Sequence, residues 1–240
     1  MAIEPDDSFD SDLPSLRARL AEMGGLAEEQ LARALDAAKR RDLPLASRVA
    51  SQDAELDRRE AGIEETALRM LALRQPLAQE LRETIASLKI SATLERVGDL
   101  AKNIAKRVES LLDHNRPKAE AGVMRLGELA QQQLSDALDA YAARDTAAAM
   151  DVWRRDVEMD ELHNSLFHEL IVQMTYEPRL VSQGAQLLFI AKNLERVGDH
   201  TTLIAEMTCY VAEGRSLRGE RPKIETRYPM LEEDPPAEPE

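Results

Sequence analysis

Apolar residues recur along this chain at spacings of three and four. Leu94, Val97, Ala101, Ile104 and Val108 form one such run. At about 3.6 residues per turn they fall in a single stripe, the pattern of a helix with one buried side. Pro14, Pro44, Pro76, Pro117 and Pro178 lie between long stretches of this kind, and the other six prolines sit in the two tails. Proline breaks helix interiors but suits the first helical turn. With Asp145 as an N-cap, these breaks predict six helices, at 13–40, 44–73, 76–113, 118–143, 146–176 and 179–213. Long helices with short connections pack as antiparallel neighbours in a bundle.

Composition sharpens this to an all-α fold. Hydrophobic residues make up 43% of the 240 positions, enough for a buried core, while aromatics are only 3%. The dominant Ala, Leu, Glu, Arg and Gln are helix formers, and strand formers are scarce.

The polypeptide also repeats itself. Displaced by 103, Ala34-Leu35-Asp36-Ala37 coincides with Ala137-Leu138-Asp139-Ala140, and Arg41-Asp42 with Arg144-Asp145. Asp53, Glu55 and Asp57 coincide with Asp156, Glu158 and Asp160 at the same displacement. Further on the displacement is 100, and Leu94-Glu95-Arg96-Val97-Gly98-Asp99 matches Leu194-Glu195-Arg196-Val197-Gly198-Asp199 residue for residue. Two tandem three-helix bundles related by a pseudo-twofold follow, at 13–115 and 118–213. Residues 1–12 are expected to be a flexible N-terminus. Residues 214–240, acidic and proline-rich, bury too little apolar surface to offset their ordering entropy and are expected to be disordered.

Each repeat carries two acid pairs at spacing i, i+4: Asp53/Asp57 with Glu95/Asp99, and Asp156/Asp160 with Glu195/Asp199. That spacing puts both carboxylates of a pair on one helix face, where like charges cost roughly a few tenths of a kcal/mol. Glu95 and Asp99 are expected to point away from the apolar stripe. If the second and third helices of each bundle are neighbours, the two pairs converge on a surface patch of carboxylates. Such oxygen-rich patches suit hard cations, which relieve the repulsion. Gly98 and Gly198, each one residue before the second acid, mark a close approach by a ligand or a neighbouring helix. Arg96 and Arg196 are expected to pair with acids of a neighbouring helix.

Charge and cysteine usage narrow the classes. A formal charge of −14 opposes binding to nucleic acid, which needs clustered cations. The lone Cys209 forms no intramolecular disulfide and no thiolate metal site, which fits a reducing cytoplasm. No apolar run approaches the roughly 20 residues that span a bilayer, and Met1 to Asp12 lack the features of a secretory signal. A ferritin-like di-iron site needs Glu-x-x-His on two helices, and no Glu here has a His three residues on. Asp160 does, with His163, but once only, so His163 and His168 are assigned to a helix flank. Trp153 is read as a core or interface anchor. No Ser-His-Asp arrangement, P-loop or dinucleotide motif is visible.

Several further residues carry a resemblance: Phe9-Asp10, Leu16, Leu20, Met23-Gly24-Gly25, Leu73-Arg74-Gln75-Pro76, Leu81-Arg82 and His200. Together with the two Leu-Glu-Arg-Val-Gly-Asp motifs, they make the chain resemble the PhoU family over about 8–213. The resemblance implies a non-enzymatic cytoplasmic regulator of phosphate uptake and phosphate-starvation signalling. Such a regulator couples the phosphate ABC transporter, through its ATPase subunit PstB, to the sensor kinase PhoR. It meets the membrane only through those partners and forms a homodimer. The resemblance also implies multinuclear metal clusters of Fe, Zn, Mn or Mg, held by Asp53, Asp57, Glu95, Asp99, Asp156, Asp160, Glu195 and Asp199. One departure weakens the second site in this reading: Leu203 stands where the first repeat keeps Asn103. The alternative is a metal-storage protein or metal-dependent enzyme using the same carboxylates.

Overall fold

The structure, a computed structural model, describes residues 12–74, 76–112 and 116–215, except for the side chains of Asp53 and Arg74. The expected flexible N-terminus and acidic tail lie outside the described residues, apart from Asp12, which begins the first helix, and Gly214 and Arg215. All regular structure among the described residues is helical. The helices are α1 (Asp12–Arg40), α2 (Leu43–Ser51), α3 (Asp53–Arg69), α4 (Ala78–Lys106), α5 (Glu120–Ala143), α6 (Thr146–Tyr176) and α7 (Val181–Glu213).

The helix expected at 44–73 is thus divided. At Gln52 the backbone N–H is shared between the carbonyls of Arg48 and Val49, at 3.2 Å each, and the regular ladder lapses for one residue. Gln52 keeps helical torsions (φ −84, ψ −6), so no proline or glycine marks the break. A π-helical turn, Met70–Arg74, ends the element.

The turns that join α1 to α2 and α5 to α6 are copies of each other. Arg41 and Arg144 adopt left-handed torsions, φ 58 and φ 54. The next residue then turns its backbone N–H to the helix just finished: Asp42 to the Ala37 carbonyl at 3.0 Å, Asp145 to that of Ala140 at 2.9 Å. The same aspartates cap the following helix. The Asp42 carboxylate accepts from the Leu45 N–H at 2.9 Å, and that of Asp145 from Ala147 and Ala148 at 2.9 and 3.0 Å. This arrangement stops one helix and starts the next within two residues.

Within the first repeat α4 packs on α1, α2 and α3; within the second, α7 packs on α5 and α6. The repeats join through α4 against α7 and α1 against α5. The two long helices run antiparallel. Gln183 donates to the Ser110 carbonyl at 2.8 Å at one end, and Arg82 to the Val211 carbonyl at 3.3 Å at the other. Where α1 meets α5, Leu138 lies 3.1 Å from the position of a Cβ on Gly24, and Leu35 lies 2.5 Å from that on Gly127. Both contacts pair a glycine with the repeat mate of the other's leucine. A continuous core follows, with Leu31, Ile90, Leu94, Leu126, Leu134 and Ile190 fully buried.

Two ion-pair groups pin this joint. Arg41 reaches across to Glu120 at 3.3 Å, with Arg116 at 3.6 Å from the same acid. Arg144 reaches across to Glu83, which Arg17 also grips. Glu83 is only 3% exposed, and Gln79 donates to it at 3.3 Å. No described helix is long and apolar enough to cross a membrane.

Candidate functional site

The first acidic centre forms between α3 and α4. Burial, then the charge of Asp99, raises the pKa of Glu95; Arg96 opposes the shift, while Glu60 and Asp57 add to it. Glu60 is raised in the same way, by burial first and then by Glu64, with Asp57 contributing and Arg96 opposing. Four carboxylates of two helices therefore feel one another here: Asp57, Glu60, Glu95 and Asp99. The sequence reading missed Glu60, which lies three residues after Asp57 and shares its face. Asp57 is exposed. The Asp53 side chain lies outside the described residues. Glu95 is not outward-facing as expected, because its side chain is 16% exposed.

The protein's own cations sit on this centre. Arg96 lies 3.4 Å from Glu95 and 3.7 Å from Asp99, and Lys102 lies 3.5 Å from Asp99. Arg96 forms its ion pairs within α4 rather than with a neighbouring helix, although its charge also reaches Glu60 on α3. Partly exposed pairs within one helix contribute little to stability.

The second centre, between α6 and α7, is deeper. Asp156 and Asp160 are 1% and 7% exposed, so the expected surface patch is an interior feature in this repeat. Asp156 Oδ1 lies 2.9 Å from where a Cβ on Gly198 would stand. Glycine is thus what lets the α6 carboxylate meet the α7 backbone. At Gly98 the corresponding space is taken by the Leu56 Cδ1 methyl, and Gln30 Oε1 lies 3.2 Å from the same point. On α7, Glu195 is held by Lys192 at 2.7 Å.

Two histidines complete this side. His163 is half-buried on α6 and feels the charge of Glu195. Burial lowers its pKa, Glu195 opposes that, Lys192 lowers it further, and a hydrogen bond with Asn164 raises it. It occupies the repeat position of Glu60, so an imidazole replaces a carboxylate. His200 is also lowered, by burial first; Asp199 opposes, and Arg196 and Arg96 add to the shift. Its Nδ1 is buried and makes no hydrogen bond.

Behind the first centre, beside Gly98, stands Gln30, which the sequence reading did not single out. Gln30 and Gln133 are repeat mates at 103, 1% and 0% exposed. The repeat itself was the signal that could have found them. Gln30 donates to the Gln52 carbonyl at 3.2 Å, tying α1 to the break in the α2–α3 segment. Elsewhere, Trp153 packs against the core as expected. Cys209 is buried, and burial, then Glu213 and Glu206, pushes its thiol up, away from nucleophilic use. Asn103 and Leu203 are both exposed.

Among the described residues, no three His, Cys, Asp or Glu side chains stand together so as to enclose one metal ion. The donor chemistry nonetheless fits a hard cation. The first centre is all carboxylate, and its burial and clustered charge raise the pKa values of Glu95 and Glu60.

Comparison with known proteins follows the two repeats. A family profile described as "PhoU domain" matches residues 20–108 and 123–208. A protein of Caulobacter vibrioides, "Phosphate-specific transport system accessory protein PhoU homolog", is 45% identical over 219 residues, 91% of this chain and 95% of that one. Its namesake in Rhizobium meliloti is 46% identical over 217 residues, 90% and 92% of the two chains. The crystal structure of PhoU from Pseudomonas aeruginosa superposes with a TM-score of 0.84 at 34% identity, covering 86% of this chain and 100% of that one. The phosphate transport system regulatory protein PhoU from Streptococcus pneumoniae superposes at 0.82 and 29% identity, covering 88% and 99%.

Proposed function

The chain belongs to the PhoU family, and on that premise we propose that it is a cytoplasmic regulator of phosphate uptake and phosphate-starvation signalling. The family is one of regulatory accessory proteins, not enzymes. In the proposed role the protein couples the phosphate ABC transporter, through PstB, to the sensor kinase PhoR, and restrains the starvation response when phosphate is plentiful. It does so as a homodimer. The observation that carries this reading is coverage: both repeats match, and relatives named as transport accessories align over nine-tenths of the chain. Deleting the gene is expected to leave phosphate-responsive promoters active in high phosphate, with repression restored by the wild-type chain. A deletion strain that represses normally would overturn the proposal.

We propose further that the two acidic centres take hard cations, with Fe, Mn, Zn and Mg as the ions to test. Asp57, Glu95 and Asp99, with Asp53 by sequence, would serve the first centre. Asp156, Asp160, Glu195 and Asp199 would serve the second. A bound cation would neutralise the clustered negative charge in place of Arg96, Lys102 and Lys192. Untagged wild-type protein is expected to carry several ions per chain by mass spectrometry. A variant with Glu95, Asp99, Glu195 and Asp199 changed to Ala should lose them while its helical circular dichroism persists. Metal-free wild type that takes up none of the four ions on addition would overturn the metal-binding proposal.

A further inference from the structure

Away from the acidic centres, a cavity of about 700 Å³ opens where α1, α5 and the adjoining ends of α4 and α7 meet. Leu20, Leu138 and Val211 line its walls, with Arg17, Arg144 and Glu83 at one side. This is the size and mixture of ligand pockets, which are mostly apolar with a few convergent polar groups and favour domain joints.

The internal repeat shows that packing alone does not require such a site. At the opposite end the same architecture is sealed. There Arg41, the repeat mate of Arg144, meets Glu120 with side-chain exposures of 9% and 11%. Here Arg144 is 39% exposed and Arg17 48% exposed, although both hold the buried Glu83. The sequence departs from the repeat at the lining. Gly25 stands where the second repeat has Glu128, Arg17 where it has Glu120, and Tyr141 where the first has Ala38. A Cβ on Gly25 would meet nothing within 4 Å.

The guanidinium geometry, not the overall charge, selects the occupant. Glu83 cancels one of the two guanidinium charges at that side, while Glu28 and Asp139 bring the whole lining to a formal −1 (two positive, three negative groups). Glu83 takes Nε and Nη2 of Arg17 and Nη2 of Arg144, so Nη1 of Arg17 and both Nε and Nη1 of Arg144 are not used by it. The planar guanidinium fork suits carboxylate or phosphate oxygens. Glu28 and Asp139 also line the cavity and repel a second negative charge. Polyanions such as nucleotides are disfavoured by them. We infer that this cavity binds an amphipathic small molecule with one anionic head, carboxylate or phosphate monoester, seated on Arg17 and Arg144, and an apolar body against Leu20, Leu138 and Val211. An occupant there touches both repeats at once and fixes their mutual position.

Calorimetric titration of the full chain tests this with octanoate and octyl phosphate as probes, and with inorganic phosphate and octyltrimethylammonium as comparators. Octanoate or octyl phosphate is expected to bind saturably at one per chain, and the tighter of the two identifies the head group. Gly25→Leu places a side chain in the open space and should weaken binding at least tenfold without lowering the melting temperature of the free protein. Arg144→Gln should weaken it at least as much. The inference fails if neither octyl anion binds, or if Gly25→Leu binds them as well as wild type does. It fails equally if the octyl cation binds as tightly as the anions, or if inorganic phosphate alone binds as tightly as octyl phosphate.

Discussion

Leu56→Ala is expected to destabilise the protein by about 2–5 kcal/mol, the range for truncating a fully buried leucine. Leu56 is 1% exposed, and its Cδ1 methyl fills the space over Gly98. The cavity would therefore open against α4 at Gly98, one residue before Asp99. Gly98→Ala should also destabilise. The new methyl would overlap Leu56 Cδ1, and that loss outweighs the roughly 1 kcal/mol that alanine gains over glycine within a helix. Combined, the two changes should partly cancel, because the added methyl enters the space left by the shortened side chain. Urea unfolding of the four proteins measures the coupling. A double variant less stable than wild type by the full sum of the two single losses would show that Leu56 and Gly98 are not knob and hole.

The second large effect concerns charge at the joint. Removing both Arg17 and Arg144, each to Ala, is expected to cost about 3–5 kcal/mol, because Glu83 would stay buried without its cations. Removing the acid instead should cost less. The two arginines are half exposed, and water can take over their solvation once Glu83 is gone. Adding Glu83→Met to the arginine double variant should recover most of the loss, since an apolar side chain of similar volume leaves no buried charge. Thermal unfolding of the three variants separates these outcomes. If Glu83→Met gives no recovery, the arginines stabilise the joint by packing rather than by compensating Glu83.

Much of the fold was legible because its punctuation is chemical. Prolines, the two Arg-Asp turns and the paired motifs set the helix limits and the repeat, and the helices follow them closely. The break at Gln52 was not legible, because the residue keeps helical torsions and bears no breaker side chain. The acidic residues were legible as pairs on faces, whereas their depth was not. Periodicity cannot show that Asp156 lies against Gly198 or that the Glu95 side chain is mostly buried. Glu60 and His163 were passed over for the same reason. They join the centres only when α3 and α6 are laid against α4 and α7, and the repeat pairs an acid with an imidazole at that position.

The reciprocal contacts of Gly24 with Leu138 and of Gly127 with Leu35 have the form of an isologous interface, the kind two identical subunits make about a two-fold axis. In assembly terms the protein is a dimer carried on one polypeptide. Separate subunits must change both sides of such an interface together, because one gene encodes both. Once the halves are fused, each side mutates alone. In this chain one arginine of the matched pair, Arg41, is sealed against Glu120, while the other, Arg144, holds Glu83 at the edge of an open cavity.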